Sequence, residues 1–199
     1  MLQHLRPALA MILAFTALTG IAYPMALTGV AQVMAPAAAN GSLVVKDGKI
    51  IGSSLVGQAF SSERYFRPRP SATSAADPAD SSKTVDAPYN AAASAGSNLG
   101  PITQKLLDRV KGDIASLRSA DVTGPVPVDA VTASASGLDP DVTPEAAYMQ
   151  VPRVANARGM QEARLRQLVL AHIEGRALGI FGEPHVNVLA LNLALDALK

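Results

Sequence analysis

The stretch ALAMILAFTALTGIAYPMALTGVAQVM, residues 8–34, contains no charged side chain and decides how the chain is organised. A bilayer core is spanned by roughly 20 apolar residues of helix, so this run is long enough to cross it. Gly20 and Pro24 are tolerated in membrane helices, and Pro24 predicts a kink. A cleaved signal peptide is the alternative, favoured by Arg6 and by the small residues at 35–39. The apolar segment of a signal peptide has only about 7–15 residues, and the run here is longer, so we expect a retained membrane anchor.

Positive charge next to the anchor indicates its orientation, because cations are enriched on the cytoplasmic side. Arg6 precedes the anchor, and the first cation after it is Lys46. We therefore expect residues 1–7 in the cytoplasm and residues 35–199 outside it.

The composition excludes several classes of protein. The chain has 199 residues, a net charge of +1 and no cysteine, which excludes disulfides, zinc–thiolate sites and cysteine nucleophiles. No run of basic residues indicates binding to nucleic acid. Aromatic residues make up only 4%, so the core must consist mainly of Leu, Val, Ile and Ala.

Local signals after the anchor mix strands and helices. Asp47-Gly48 predicts the tight turn of a β-hairpin over residues 42–55, and four prolines predict a long exposed loop over residues 67–88. Thr143 and Pro144 predict the N-cap and first turn of a helix. A helix is expected from Pro101, with Ile102, Leu106, Val110, Ile114 and Leu117 on one face, and a short strand is expected at 128–131. Pro152 is expected to interrupt the helix that Thr143 caps, and another helix is expected over 161–176. The chain should end with a strand at 186–188 and a last helix at 193–198 capped by Asn192. Strands and helices do not strictly alternate, so the predicted fold class is α+β, with one membrane helix followed by one small mixed domain.

No residue pattern indicates catalysis or a bound metal. The three histidines, His4, His172 and His185, lack the i, i+4 metal spacing, and there is no P-loop. Two alternatives stay open: Asp139 and Asp141 as oxygen ligands of a hard cation, or Gly100 and Gly137 offering backbone N–H groups to an anion. A solvated turn is the simpler interpretation of each.

An ordered set of motifs carries a family resemblance. It comprises Gly52-Ser53-Ser54-Leu55-Val56-Gly57-Gln58, Tyr65-Phe66, Arg69-Pro70-Ser71, Tyr89-Asn90, Ser97-Asn98-Leu99-Gly100-Pro101, Pro125-Val126-Pro127, Val131-Thr132-Ala133-Ser134, Ser136-Gly137-Leu138-Asp139-Pro140, Pro152-Arg153-Val154-Ala155, Gly182-Glu183-Pro184, Val186-Asn187-Val188-Leu189 and Leu191-Asn192-Leu193-Ala194-Leu195-Asp196. Over essentially its whole length the chain resembles the KdpC family, the small C subunits of the Kdp-type potassium-transporting ATPases of bacteria.

The resemblance implies a non-catalytic accessory subunit in the inner membrane. Its implied partners are a channel-like A subunit that conducts K+, a P-type ATPase B subunit, and a small membrane peptide. The phosphorylation motif Asp-Lys-Thr-Gly-Thr of P-type ATPases is absent here, so ATP would be hydrolysed by another chain. Family members are described as holding the complex together and as raising the affinity of the ATPase subunit for ATP.

The implied effect on ATP conflicts with the expected orientation, because a domain outside the cytoplasm cannot touch cytoplasmic ATP. Either the orientation is reversed or the effect is indirect, and we favour stabilisation from the outer face. If ATP is bound directly, the resemblance implies Gln58, Ser134, Ser136 and Gly137 as candidates.

In the anchor, the small residues Ala10, Ala14, Ala17 and Gly20 are candidates for close packing against other membrane helices. A membrane-tethered exported hydrolase and an envelope binding protein are the alternative functions. Both require convergent functional groups, which the sequence does not reveal.

Overall fold

The chain forms two compact units, Met1–Ser53 and Ser54–Lys199. The computed structural model describes residues 4–119, 122 and 124–198. The first unit holds the apolar helix and a hairpin, and the second holds a small mixed domain. The fold class is therefore α+β with an N-terminal apolar helix, as predicted.

The apolar helix runs over Leu5–Met34 and is long and apolar enough to cross a membrane. It consists of α1 (Leu5–Ala17), a π-turn (Leu18–Ala22) and α2 (Tyr23–Met34). The π-turn ends at Ala22, two residues before Pro24, and the Tyr23 N–H donates to the Leu18 carbonyl. Since proline lacks an N–H, the irregularity expected at Pro24 takes the form of a widened turn.

The predicted hairpin is confirmed. After the short helix α3 (Pro36–Ala39), strands β1 (Leu43–Lys46) and β2 (Lys49–Ser53) pair antiparallel around Asp47 and Gly48. Both turn residues have positive φ, 51° and 75°. A bulge between Val44 and Val45 shifts the register, so Val44 lies opposite Gly52.

The described part of the second unit combines short strands with helices. Its elements are β3 (Ser74–Ala76), β4 (Thr84–Asp86), α4 (Gln104–Ser119), a 3-10 turn (Val128–Ala130), β5 (Asp141–Val142), α5 (Pro144–Arg158), α6 (Glu162–Ala171), β6 (Ile173–Glu174), β7 (His185–Asn187) and α7 (Val188–Ala197). Strands β3 and β4 form a hairpin, and β7 pairs antiparallel with β5 and β6 in the order β5-β7-β6.

The structure corrects several predicted elements before α5. The 67–88 segment is not loop throughout, because β3 and β4 pair within it. Residues 128–130 form a 3-10 turn rather than a strand. Helix α4 begins at Gln104, three residues after Pro101, and Ile102 is 90% exposed. The predicted apolar face therefore starts later, at Leu106.

Further corrections concern α5, α6 and α7. Thr143 caps α5 as predicted, accepting a bond from the Ala146 N–H at 3.1 Å, but the helix continues through Pro152. Helix α6 ends at Ala171, because residues 173–174 join the sheet. The N-cap of α7 is Asn187, whose Oδ1 accepts from the Ala190 N–H at 3.0 Å. Asn192 therefore lies inside that helix.

The core lies where α5, α6 and α7 meet the β5-β7-β6 sheet. Its buried side chains include Phe66, Val142, Ala147, Val151, Val154, Leu165, Val169, Val186, Leu191 and Leu195. Apart from Phe66 they are aliphatic, as the composition predicted.

Two buried amides attach an extended segment to this core. Asn192 accepts from the Phe66 N–H and donates to the Phe66 carbonyl, both at 2.9 Å. Gln150 accepts from the Arg67 N–H at 2.7 Å and donates to the Arg67 carbonyl at 2.9 Å. Each amide thus pairs with one residue as a neighbouring strand would, and it satisfies backbone groups that would otherwise be buried alone. We call Gln150 and Asn192 the amide clamps.

We predict that Asn192→Ala destabilises the second unit by about 3 kcal/mol, because two buried backbone groups lose their partners. The loss of stability is measured by unfolding the full chain with urea in mild detergent and monitoring the transition by circular dichroism. Asn156→Ala, at an exposed position on α5, is the control and should change stability by less than about 0.5 kcal/mol. Equal effects of the two substitutions would contradict the clamp.

Candidate functional site

The 132–141 loop, which holds three of the four candidate ATP-binding residues, is tied to three other segments. The Gly57 N–H donates to the Leu138 carbonyl at 2.8 Å, and the Ala95 N–H donates to the Ser136 carbonyl at 3.0 Å. The Ser71 hydroxyl donates to the Gly137 carbonyl at 2.7 Å. The loop is therefore the meeting point of segments that are far apart in sequence.

The two serines of the loop bond to the loop's own backbone. Ser134 Oγ accepts from the Gly137 N–H at 2.9 Å, and Ser136 Oγ accepts from the Leu138 N–H at 3.1 Å. These are local side-chain turns that fix a loop's shape. Both N–H groups are thus engaged within the loop, which argues against their serving as an anion cradle.

Gly137 is required by conformation and by space. Its φ is +67°, a value that other residues rarely adopt. A Cβ at this position would lie 2.5 Å from the Ala95 carbonyl oxygen and 2.6 Å from Thr73 Cγ2. Of the two interpretations of Gly137, the turn is the one that this geometry supports.

Polar side chains of the 67–90 segment support the loop. Thr73, which is 2% exposed, donates through Oγ1 to the Ala87 carbonyl at 2.6 Å. Ser71 Oγ accepts from the Tyr89 N–H at 3.0 Å, and the Tyr89 hydroxyl donates to the Arg69 carbonyl. Burial, and then the nearby Asp139 carboxylate, raise the pKa of Tyr89 far above its ordinary value. The phenol therefore stays neutral and acts as a donor.

Asp139 is occupied by an ion pair. Arg69 Nη1 lies 2.9 Å from Asp139 Oδ2, and both side chains are about a quarter exposed. The other oxygen, Oδ1, accepts from the Asp141 N–H at 3.1 Å. The Arg69 guanidinium already neutralises this carboxylate, which argues against a cation held between Asp139 and Asp141.

Asp141 belongs to a cluster of polar side chains that crosses the three strands of the β5-β7-β6 sheet. Its Oδ1 accepts from Asn187 Nδ2 at 3.0 Å, while His185 Nε2 lies 4.0 Å from its Oδ2 and 3.8 Å from Glu174 Oε2. Burial raises the pKa of the Asp141 carboxyl. Within residues 4–119, 122 and 124–198, no three His, Asp or Glu side chains are arranged to hold a metal ion.

The structure brings only some of the candidate ATP-binding residues together. Ser134 and Ser136 line an open cleft of about 600 Å³ together with Arg69, Leu55 and Val56 among others. Gly137 and Gln58 are not among its lining residues. Gln58 is half-buried beside Gly57, and Gly137 is buried within the loop.

Residues that support this site were not given a role from sequence alone. Arg69, Ser71, Thr73 and Tyr89 lie in or beside a proline-rich segment that was predicted to be an exposed loop. A signal was present, because Arg69-Pro70-Ser71 and Tyr89-Asn90 are among the motifs of the family resemblance. Ser71 bonds to a residue 66 positions away and Arg69 to one 70 positions away, so the local sequence pattern could not identify these contacts.

Together these features define an α+β protein with an N-terminal helix that is apolar enough to cross a membrane, whose polar residues hold its loops in place. Its sequence matches the family model KdpC, described as "K+-transporting ATPase, c chain", over residues 5–197. The chain therefore belongs to the KdpC family.

Curated relatives agree over the full length of the chain. It is 64% identical over 195 residues to the potassium-transporting ATPase KdpC subunit of Methylorubrum extorquens, covering 98% of this chain and 97% of the relative. It is 62% identical over 199 residues to the protein of the same name from a strain of Rhodopseudomonas palustris, covering 100% of both.

We predict that Gly137→Ala destabilises the second unit by about 2–4 kcal/mol, through positive φ and the two close contacts. Gly112→Ala is the control, because Gly112 lies in α4 and a Cβ added there would meet no atom within 4 Å beyond its chain neighbours and its own helix backbone. That control should raise stability by up to about 1 kcal/mol. Thermal unfolding of both variants in the same detergent makes the comparison. A Gly137→Ala variant as stable as the original chain would refute the packing argument.

Proposed function

We propose that this chain is a non-catalytic accessory subunit that stabilises a high-affinity, ATP-driven potassium transport complex. The observation that carries the proposal is that polar residues of this chain form hydrogen bonds with other parts of the same chain. Ser71, Thr73, Ser134, Ser136 and Asp139 all bond within the chain. A chain built in this way offers a shaped surface rather than a reaction centre, which fits a stabilising subunit. Membership of the KdpC family supports the same conclusion.

Orientation and the effect on ATP are part of the proposal. Arg6 lies next to the anchor and the first cation after it, Lys46, lies well beyond its end, which favours an N-terminus in the cytoplasm of a bacterial inner membrane and a second unit outside it. Assistance to ATP binding is then indirect, exerted through the channel-like and P-type subunits. The internal bonding of the 134–138 backbone supports this over direct contact with phosphate.

The anchor packs against partner membrane helices through its small residues. Ala10, Ala14 and Ala17 recur at helical spacing, and Gly20 lies within the π-turn. Small residues at this spacing support close helix contact along the α1 part of the span.

Ala14→Leu should weaken assembly about fivefold, equivalent to about 1 kcal/mol of helix packing. Thr16→Leu is the control, because two residues place it about 200° around α1. Co-recovery of the partner subunits from mild detergent, quantified against the tagged chain, measures both. Equal loss in the two variants would contradict packing through the small residues.

The accessory role itself is tested with a tag on Lys199, recovery from native membranes, and potassium-stimulated ATPase assay. We expect a P-type ATPase and a polytopic channel-like subunit to co-purify, and activity to fall when this chain is deleted. A chain recovered alone, with the pump intact in its absence, would overturn the proposal and favour an exported hydrolase or an envelope binding protein.

Indirect assistance makes a separate prediction for the serine loop. Ser136→Ala should leave the KM for ATP within about twofold, although it removes a bond worth about 1 kcal/mol of stability. ATPase assays of the assembled complex measure the KM, and Gln58→Ala is assayed alongside it. A KM raised tenfold or more at equal complex yield would instead indicate direct contact with ATP.

A further inference from the structure

The hairpin between β6 and β7 carries three large apolar side chains at its tip. Leu178, Ile180 and Phe181 are 88%, 71% and 64% exposed. Three such side chains within four residues form an apolar patch that water solvates poorly. We call these three residues the plug.

The tip is held in one shape by its own backbone. Ala177 and Phe181 exchange two hydrogen bonds of 2.8 and 2.9 Å, and the Ile180 N–H donates to the Ala177 carbonyl at 3.1 Å. Arg176 and Glu183 form an ion pair at 2.6 Å across the base. The plug is therefore presented preformed, which lowers the entropy cost of docking.

Leu178 adopts a conformation that its side chain disfavours. Its φ is +54°, followed by Gly179 at +74°. Gly and Asn are the residues suited to such positions, and Leu is not. A strained backbone position that holds an exposed Leu does not stabilise the isolated chain, which points to a role in a complex.

The charges around the plug favour a protein partner over lipid. Residues 174–185 contain no Lys, Trp or Tyr, which are typical of membrane-interface loops, and their one Arg, Arg176, is paired with Glu183. Glu174 and Glu183 flank the tip with side chains 66% and 75% exposed. Because Arg176 neutralises Glu183, the carboxylate that anionic headgroups would repel is Glu174, and a protein pocket with a cationic rim would complement it.

From these observations we propose that the plug docks into an apolar pocket, rimmed by Lys or Arg, on the extramembrane surface of another subunit of the transport complex. This inference rests on the proposed accessory function. It adds the surface through which the second unit engages its partner and the chemistry of the receiving site.

The chain has no cysteine, so a single introduced thiol can be followed on its 20.5 kDa band. Ile180→Cys is labelled with a membrane-impermeant maleimide in the chain alone, in the chain in phosphatidylcholine–phosphatidylglycerol vesicles, and in the assembled complex. We expect labelling at least about tenfold slower in the complex only, as for a side chain at a dry interface core. Ile102→Cys, at a position 90% exposed outside the hairpin, is the control and should react equally in all three.

The other outcomes overturn the proposal in distinguishable ways. Slow labelling in vesicles without partner subunits would identify lipid as the occupant, and slow labelling of a self-associated chain in detergent would identify a second copy. Equal labelling in an intact complex would refute the plug and leave the accessory function standing. A chain that recovers no partner subunit at all would refute both the plug and the accessory function.

A second variant separates docking from folding. Leu178→Asn suits positive φ, so the isolated chain should be at least as thermally stable as the original, while co-recovery of partner subunits falls about fivefold or more. Leu170→Asn, at a position 63% exposed on α6, is the matched control and should leave co-recovery unchanged. A Leu178→Asn chain that assembles as well as the original would show that the apolar tip has no docking role.

Discussion

Two buried amides, Gln150 and Asn192, do for residues 66 and 67 what a neighbouring strand does in an ordinary sheet. The β5-β7-β6 sheet consists of short strands, which is too little to order the long irregular segments that precede it. Backbone N–H and C=O groups that enter a core must find partners, and here side chains on α5 and α7 supply them. Phe66 can be fully buried only because both of its backbone groups are paired.

The same principle governs the 132–141 loop, where hydroxyls, one phenol and one ion pair replace regular secondary structure. Ser71 bonds to the Gly137 carbonyl, Thr73 bonds to the Ala87 carbonyl, and the missing Cβ of Gly137 lets Thr73 approach the loop. Such a node fixes the shape of a surface formed by irregular chain. A subunit that stabilises a complex by binding its partners needs a surface of fixed shape. It also explains why motifs rich in Ser, Asn and Gly run through a chain whose sequence shows no catalytic motif.

Features with local causes could be predicted from the sequence. The apolar run, the Asp47-Gly48 turn and the Thr143 cap each depend on residues within a few positions, and the structure agrees with all three. Asn192 was misassigned as a cap because its partner, Phe66, lies 126 residues away. Pro152 was expected to interrupt a helix that tertiary packing keeps continuous. The family resemblance implied a role for Ser134 and Ser136, but it gave none to Ser71 or Tyr89, whose bonds depend on tertiary approach.

The distance between the clamp partners also imposes an order on biosynthesis. Phe66 is made early, whereas Asn192 lies in α7, 126 residues later. Domains fold as units during synthesis, so the segment around Phe66 must wait, with its backbone hydrated, until α7 is available. The amide clamp on Phe66 therefore cannot close before Asn192 has been made, so the burial of Phe66 follows the synthesis of α7.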